Sequence, residues 1–433
     1  MTKRIQLIII IITSTLIAAG LTTFFIFGRK NFSGENTPVS NTSDITLEYW
    51  GLHIPQQVMA VLIDDYKKIR PSIKIRYTQK RFSDLHRYKK TLLNQLEGGT
   101  GPDIFRAHST WIPEYFTELS GINPMSKATF NDTFYSVAVS ECVGTEKVYC
   151  IPIMYDGLAL IYNKDMFDEE GLSTPVTWDD VRDSALILAR RDKSNLTRGG
   201  IALGTPYNVT NSTDILALMM AQSDVKIPDD LDSEAAQSAI RFYTDFATRY
   251  KVWDASMPNS LIAFATEDLA MVFATSAQLL DILELNPTMN LGVLTVPQVP
   301  TLSGQTTKDS WATFWVETVS ADAKDQSQLA AWQFLQWLSQ PEQQIKLFNE
   351  FSSYRRYGEI YGNKELGVSL KNFSQLGSFI IQAPNATTSV ITDSAGNNEQ
   401  VDVLKKAIQT VYEKEDPREA LKNAMIELKK LPQ

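Results

Sequence analysis

The chain has 433 residues, a formal net charge of −9 and 43% hydrophobic residues. This length exceeds what one ordinary core accommodates, and the apolar content excludes a disordered chain, so we expect two compact lobes. An acidic chain without a basic cluster also argues against a nucleic-acid partner.

The amino-terminal residues predict a membrane anchor. A Lys3-Arg4 pair precedes an uncharged stretch over residues 5–27, which a second basic pair closes. A helix of that length spans about 34 Å, enough to cross a hydrocarbon core of about 30 Å. A cleaved signal peptide, which has a shorter apolar region, is the alternative. We expect residues 1–28 to form one retained transmembrane helix and the Ser-, Asn- and Thr-rich residues 29–44 to form a polar linker.

The next segments alternate between strand and helix patterns. Residues 45–50 and 73–77 alternate apolar and polar side chains, whereas residues 55–70 and 84–97 carry apolar stripes at helical spacing. A third strand opens at Pro102. Strands that alternate with helices pair in parallel through right-handed crossovers, so this region predicts an α/β lobe.

The remaining elements are predicted in chain order. Thr177-Trp-Asp-Asp180 has the form of a capping box and predicts a helix through Arg190. A mostly helical region follows over residues 212–285, and a strand over residues 291–296. One helix is then predicted over residues 326–338, and a second capping box, Ser339-x-x-Glu342, starts another helix. A pair of amphipathic helices occupies residues 401–428.

The two cysteines predict a structural disulfide. Cys142 and Cys150 flank Gly144, which suits a β-hairpin with its turn at residues 143–146. A redox pair would have the form Cys-x-x-Cys, and a metal site would need more ligands, whereas the three histidines lie well upstream. We therefore expect no metal and no cofactor. A disulfide also implies an oxidising compartment, so the lobes should lie outside the cell.

No motif for nucleophilic catalysis or phosphate binding occurs in the sequence. It contains neither Gly-x-Ser-x-Gly, nor a Walker motif, nor a Gly-x-Gly-x-x-Gly that opens a helix after a strand. Glycoside hydrolysis needs only two carboxylates, so it stays open. Aromatic residues at strand ends or in loops, near Asp, Asn and Arg, suit a polar, ring-shaped ligand: Trp50, Trp111, Trp253, Trp311, Trp315, Tyr155 and Tyr207. Core packing is the alternative for each of them.

Several stretches, taken in order, resemble the extracellular solute-binding proteins of family 1, the maltose-binding type that serves ABC importers. They are Trp50-Gly51, Gly98-Gly-Thr-Gly-Pro-Asp-Ile104, Lys147-Val-Tyr-Cys-Ile-Pro152, the segment from Asp156 to Asp165, Ala270-Met271 and the helical pair over residues 328–348. The resemblance covers the chain from about residue 45 to its end.

The resemblance implies an α/β, two-lobed periplasmic-binding-protein-like fold with crossing hinge strands, here preceded by one transmembrane helix. The first lobe would comprise residues 45–154 and 297–345, and the second would comprise residues 155–296 and 346–433. A ligand would bind in the cleft between the lobes, and the protein would be a monomer.

The resemblance also implies ligand contacts in both lobes. Asp156 falls at a crossing segment where the family often places a ligand-binding carboxylate, and either Arg355 or Tyr354 would fill a wall of the cleft. The predicted ligand-binding residues are Trp50, Asp103, His108, Trp111, Tyr155, Asp156, Tyr207, Asn208, Trp311 and Arg355. Asp156 could instead cap a turn, and Asp103 could instead hold its own loop.

Together these observations predict a membrane-tethered extracellular binding protein rather than an enzyme. It would capture a mono- or oligosaccharide by hinge closure and deliver it to an ABC importer. A cell-surface glycosidase and a ligand-sensing module that signals through a partner chain are the alternatives. If Asp156 and Trp311 contact the ligand, replacing either with alanine should weaken binding and leave the melting temperature nearly unchanged.

Overall fold

A computed structural model of the chain describes residues 44–145, 147–300, 306–393 and 395–432. The predicted anchor, residues 1–28, lies outside these residues, as does the predicted linker except for Asp44. Among the described residues, none of the helices combines the length and apolar character that a membrane crossing requires.

The strands are short and are spread along the whole described chain. They are β1 Ile45–Gly51, β2 Ile73–Gln79, β3 Ile104–His108, β4 Ile151–Gly157, β5 Ala159–Asn163, β6 Arg190–Asp192, β7 Asn195–Ile201, β8 Leu269–Ala274, β9 Leu291–Leu294, β10 Ser310–Val319 and β11 Ala386–Thr387.

Helices connect the strands and cover the sheets. They are α1 Gln56–Ile69, α2 Leu85–Glu97, α3 Ile112–Tyr115, α4 Lys127–Thr133, α5 Ser136–Cys142, α6 Lys164–Glu169, α7 Trp178–Leu188, α8 Ser212–Ala221, α9 Glu234–Thr248, α10 Ser260–Ala265, α11 Ser276–Leu285, α12 Asp325–Leu338, α13 Pro341–Ser352, α14 Lys364–Leu370, α15 Gly377–Gln382, α16 Asn398–Tyr412 and α17 Pro417–Leu428.

The first sheet has the order β11-β10-β3-β1-β2, and β4 also pairs with β10. Strand β1 pairs in parallel with both β2 and β3, as the alternation of strands and helices predicts. Strand β10 arrives from the far end of the sequence and pairs antiparallel with β3 and β4. Its ten residues are all buried, because helices and loops cover both faces of the sheet there.

The second sheet has the order β6-β7-β8-β5-β9 and no strand in common with the first. The chain crosses between the sheets at Leu158, which alone separates β4 from β5. It returns between β9 and β10. The molecule therefore has two lobes, each built around its own sheet, with these crossing segments between them.

The bounds proposed for the two lobes stay a prediction. Strand β4 pairs with β10 as far as Gly157, a few residues beyond the predicted boundary. Helix α13 packs against α1 of the first lobe, whereas α16 and α17 pack against α9 of the second lobe.

Two of these local predictions differ from the structure, and a third is confirmed. Residues 269–274 lie in a region predicted to be mostly helical, but they form β8. The prediction missed this strand because a fully buried strand lacks the alternation that distinguishes it from a helix. The second capping box is wrong: Gln340 caps α13 without a side-chain bond, and the Ser339 hydroxyl donates to the carbonyl of Gln336. The first capping box, between Thr177 and Asp180, is confirmed.

The disulfide between Cys142 and Cys150 is confirmed. Its surroundings differ from the predicted hairpin, because Cys142 is the last residue of α5 and only one β-bridge, between Val143 and Val148, follows it. The disulfide thus joins the end of a helix to the residue before β4.

Candidate ligand-binding crevice

The strand order of the first sheet indicates where a ligand could bind. In open α/β sheets, ligands bind beyond the carboxyl ends of the strands where the strand order reverses. Strand β1 lies between β2 and β3, so the order reverses at this strand. Strand β3 ends at His108, and the short helical turn that follows ends at Trp111. We call the space between this edge and the second lobe the crevice.

Five of the predicted ligand-binding residues are buried at the base of the crevice. They are His108 and Trp111, which are 0% exposed, and Tyr155, Asp156 and Trp311, which are 2% exposed. We call these five residues the floor. Strand register brings some of them together, since Asp156 lies opposite Thr313 on β10, two residues from Trp311.

Asp156 binds the amino terminus of a helix in the second lobe. Its Oδ1 accepts the N–H groups of Gly157 and Ser276, both at 2.8 Å, and its Oδ2 accepts that of Ala277 at 3.1 Å. Burial raises the pKa of Asp156 to about 6, and the three N–H donors oppose that rise. The carboxylate therefore joins β4 to the start of α11.

Trp311 joins the floor to the second lobe through another carboxylate. Its indole Nε1–H donates to Oδ1 of Asp214, on α8, at 2.6 Å. Oδ2 of Asp214 accepts the N–H of Asp393 at 2.9 Å. Burial, with the charge of Asp393 as a second cause, raises the pKa of Asp214 to about 7.

The other floor residues have structural partners as well. The His108 Nδ1 atom lies 2.9 Å from Thr110 Oγ1, and its Nε2 atom lies 2.8 Å from Thr313 Oγ1. Burial lowers the pKa of His108 to about 3. It is therefore neutral at physiological pH. The Trp111 indole donates to the carbonyl of Ala395 at 2.6 Å. Tyr155 packs against Tyr135, with 5.1 Å between ring centroids, but its buried hydroxyl has no hydrogen-bond partner among the described residues.

One stretch of chain contacts both lobes along the crevice. We call residues 386–397, except the undescribed residue 394, the bridging segment. Its Asn397 side chain donates to Thr110 Oγ1 at 2.7 Å and accepts from Lys89 Nζ at 2.9 Å, both in the first lobe. In the second lobe, the Thr213 hydroxyl donates to the carbonyl of Ile391 at 2.7 Å.

Gln382 holds the crossing segments to one another. Its Nε2 donates to the carbonyl of Leu158, at the first crossing, and its Oε1 accepts the N–H of Val296 at 3.0 Å, at the second. Its own carbonyl accepts the Ser310 hydroxyl at 2.8 Å. A hinge motion between the lobes would therefore act on this side chain.

The other five predicted residues, Trp50, Asp103, Tyr207, Asn208 and Arg355, are partly or largely exposed. Tyr207 is 67% exposed. Asn208 is occupied structurally, since its amide donates to the carbonyls of Asp254 and Met257. Arg355 lies over the Phe351 ring at 4.3 Å and is 3.5 Å from Glu359.

Asp103 is separated from the rest of the predicted site. It precedes β3, whereas the crevice lies beyond the other end of that strand, and five residues of strand span about 16 Å. Its Oδ2 accepts the N–H of Glu48 at 2.8 Å, which holds its own loop against β1. Its role as a ligand contact, like that of the other nine residues, stays a prediction.

A cavity of about 400 Å³ lies between the two lobes, and we call it the interlobe cavity. Its lining includes Thr110 and Glu141 from the first lobe, Ala217 on α8, the floor residue Trp311, and residues 387–390 of the bridging segment. Burial raises the pKa of Glu141 to about 7. The lining thus offers hydroxyl groups, one titratable carboxyl and the side of an indole ring, a mixture suited to a small polar ligand.

Several residues of this site were not predicted from the sequence. Glu141, Gln382 and the hydroxyl-rich residues 387–389 carry no pattern that would distinguish them. Asp214 does carry a signal, because it is the single acidic residue in the otherwise apolar helix α8. A lone carboxylate in such a helix indicates a buried partner, here Trp311.

Comparisons with solved structures show the same fold. A cyclo/maltodextrin-binding protein complexed with maltotetraose superposes with a TM-score of 0.71 at 19% identity, over 90% of this chain and 98% of that chain. A solute-binding protein of Thermotoga lettingae, bound with α-D-tagatose, superposes with a TM-score of 0.66 at 20% identity, over 89% and 99% of the two chains.

Two relatives are similar in sequence. A binding protein of Brucella abortus (strain 2308) is 23% identical over 354 residues, which cover 77% of this chain and 80% of the relative. The multiple sugar-binding protein of Streptococcus mutans is 24% identical over 286 residues, which cover 62% and 66%.

The family model for bacterial extracellular solute-binding proteins matches residues 51–345. This match covers the second sheet, most strands of the first sheet and the crossing segments between them, and it agrees with the fold of the solved structures. The family consists of binding proteins rather than enzymes, which answers the glycosidase alternative. The chain therefore belongs to the bacterial extracellular solute-binding protein family.

Proposed function

We propose that the protein captures a mono- or oligosaccharide in the interlobe cavity and delivers it to an ABC importer. The observation that carries this proposal is the Thr388 hydroxyl. Thr388 lines the cavity, and its hydroxyl oxygen is buried and has no hydrogen-bond partner among the described residues. Buried polar groups are almost always paired, so a ligand or water with a matching group would complete this site.

The proteins of similar structure support a carbohydrate as the ligand. The names of two of them state complexes with maltotetraose and α-D-tagatose, and the Streptococcus mutans relative is named for binding multiple sugars. The aromatic and hydroxyl side chains of the cavity match sugar chemistry, since rings pack on C–H faces and hydroxyl groups exchange hydrogen bonds.

The remaining parts of the proposal concern location and motion. We propose that residues 1–28 anchor the chain and that the lobes lie on the extracellular side, where the disulfide between Cys142 and Cys150 would form. The lobes would close on the ligand by bending at the crossing segments near Gln382. One monomer would contain the complete site.

The experiment that tests the proposal combines native mass spectrometry with calorimetry. The purified full chain is first examined for a co-purified ligand and then titrated with maltose, maltotriose and tagatose. A carbohydrate mass or saturable binding of a sugar is expected. A co-purified peptide or phosphate, together with no response to any sugar, would contradict the proposal.

A pair of threonine variants tests the location of the ligand. Thr388→Val removes the hydroxyl that has no partner, so it should weaken sugar binding without changing the melting temperature. Thr78→Val makes the same change at an exposed position on β2 and should change neither property. Equal affinities for the two variants would place the ligand elsewhere.

A further inference from the structure

A second cavity, also of about 400 Å³, lies beyond the carboxyl ends of β1 and β2 in the first lobe. It is lined by Leu52, His53, Leu85 and residues 79–83. The loop that begins at Lys80 stays beside the end of β1, because the Lys80 N–H donates to the carbonyl of Gly51 at 2.8 Å. We call this cavity the cationic groove, for the charges described below.

The cationic groove continues from the floor of the crevice. His53, which lines the groove, packs edge-on against Trp315 with 4.8 Å between centroids. Trp315 in turn contacts the floor residue Trp111 at 5.5 Å. At the other side of the groove, His86 Nδ1 lies 3.1 Å from the carbonyl of Gly396 in the bridging segment. The groove therefore adjoins the floor of the crevice through these packed rings.

The groove has excess positive charge. The Lys80 ammonium lies over the Trp50 ring, 3.3 Å from its centroid, and desolvation lowers the pKa of this lysine. The ring holds the ammonium in place but leaves its charge, since the attraction comes from the ring quadrupole. Within the described ranges, neither Lys80 nor its neighbour Arg81 has a carboxylate partner.

The acidic residues nearest in sequence form no ion pair with Lys80 or Arg81 among the described residues. No carboxylate lines the groove among the described residues. Asp84, the first acidic residue after Arg81, accepts the N–H of Arg87 at the start of α2. Glu48, two residues before Trp50, is bound by Arg76 at 2.9 Å.

The positive charges behind the groove are paired with carboxylates. Burial and then the positive charges of Arg106 and Arg355 lower the pKa of His53 to about 4. Each of these arginines has its own carboxylate, Glu317 at 2.7 Å and Glu359 at 3.5 Å. The uncompensated charge therefore belongs to the groove itself, on a protein whose formal net charge is −9.

We propose that the cationic groove binds an anionic group, a carboxylate or a sulfate, on a carbohydrate held in the crevice. This inference rests on the proposed function and narrows it to acidic sugars, such as oligosaccharides that contain uronate. A groove lined by a partly desolvated ammonium and by a guanidinium is a favourable site for such a group, and charge-assisted bonds are about twice as strong as neutral ones. The positive charge of the groove also opposes the repulsion that a net-negative protein exerts on an anion.

The test uses a pair of ligands that differ only in charge. The full chain is titrated by calorimetry with digalacturonic acid and with its neutral dimethyl ester. We expect the acid to bind at least tenfold more tightly at low ionic strength, and this preference to shrink as salt screens the charges. A monosulfated disaccharide, compared with its unsulfated form, shows whether the groove takes sulfate as well as carboxylate.

Two lysine variants locate the preference. Lys80→Gln should reduce the preference for the acid to about twofold or less and leave affinity for the ester unchanged. Lys74→Gln removes the same charge from β2, the strand that precedes Lys80, but the Lys74 ammonium pairs with Asp44 at 2.5 Å outside the groove, so this variant should retain the preference. Melting temperatures of both variants check that the fold is intact.

The outcomes separate this inference from the proposed function. Equal affinity for acid and ester, or equal loss of both in Lys80→Gln, would overturn the inference and leave sugar binding intact. Binding of maltose or maltotriose without any binding of the acidic and sulfated probes would do the same. Failure of every carbohydrate to bind would overturn the proposed function together with the inference.

Discussion

The floor and the rim of the crevice differ in how completely their polar groups are already paired. On the floor, the Asp156 carboxylate accepts three N–H groups, and the Trp311 indole donates to Asp214. We use the word rim for two residues outside the floor: the predicted ligand contact Tyr207, which is 67% exposed, and the groove residue Lys80, which has no carboxylate partner among the described residues. Paired, buried groups stabilise one arrangement of the lobes, whereas exposed or unpaired groups remain available to a ligand.

This comparison assigns different consequences to mutation in the two regions. Floor variants should lose stability first, since each leaves a buried group without its partner. Rim variants should lose ligand binding and keep stability, since exposed substitutions rarely change the free energy of unfolding by more than about 0.5 kcal/mol. The predictions below run from the largest expected effect on stability to the smallest.

The largest effect is expected for Asp156→Ala. It leaves the N–H groups of Ser276 and Ala277 without their acceptor at the start of α11, which should lower the free energy of unfolding by about 2–4 kcal/mol. Asp156→Asn keeps one acceptor oxygen and should lose less. Urea denaturation of the ligand-free proteins measures both. An alanine variant as stable as the wild type, with lost sugar binding, would restore the sequence-based prediction that Asp156 is a ligand contact.

Trp311→Phe should have the next largest effect. Phenylalanine keeps most of the buried ring but removes the donor to Asp214, so we expect a loss of about 1–3 kcal/mol. Thermal unfolding compared with Trp337→Phe, whose ring is only partly buried, checks this value. A normal melting temperature with weakened sugar binding would show that Trp311 acts as a ligand contact rather than as a support for the second lobe.

Asp214 also predicts a dependence of stability on pH. Its pKa of about 7 in the folded protein is higher than the ordinary value of 3.8, so between about pH 4 and 7 the folded state holds a proton that the unfolded chain releases. The free energy of unfolding should therefore fall as the pH rises through this window. The slope from one group is at most about 1.4 kcal/mol per pH unit.

The measurement compares wild type with Asp214→Asn by urea denaturation at pH 5, 6, 7 and 8. Exposed carboxylates of lowered pKa, such as Asp65 and Asp180, contribute with the opposite sign and are common to both proteins. The free energy of unfolding of the asparagine variant should therefore increase relative to that of the wild type as the pH rises. A difference that is constant with pH would mean that Asp214 is ionised throughout.

The sequence predicted the elements better than the contacts among them. Alternation over residues 45–77 identified β1 and β2, because each has one face towards the core and one towards solvent. Strand β8 was missed because all six of its residues are buried and none alternates. The donors to Asp156 were also missed, since Ser276 lies 120 residues away and only the fold brings the two together.

The predicted site residues show the same division. The position of Asp156 at a crossing segment was predicted by resemblance, and the structure places it at the end of β4 beside Leu158. The resemblance could not show whether the Asp156 carboxylate is available to a ligand, because that depends on where α11 begins. Cationic residues such as Lys80 carried no signal, because a lysine after a strand is ordinary until the fold removes its counter-ions.

The smallest effect on stability is expected for Tyr207→Ala. The side chain is 67% exposed, so its removal should change the free energy of unfolding by less than about 0.5 kcal/mol. If its ring packs on the sugar, affinity should fall about three- to tenfold, the range expected for loss of one aromatic contact. Phe116→Ala, at a ring that is 49% exposed and is not a predicted ligand contact, is the control and should leave affinity unchanged. A Tyr207 variant that loses stability, or that binds sugar normally, would remove this residue from the rim, and the contrast with the floor would then rest on the cationic groove alone.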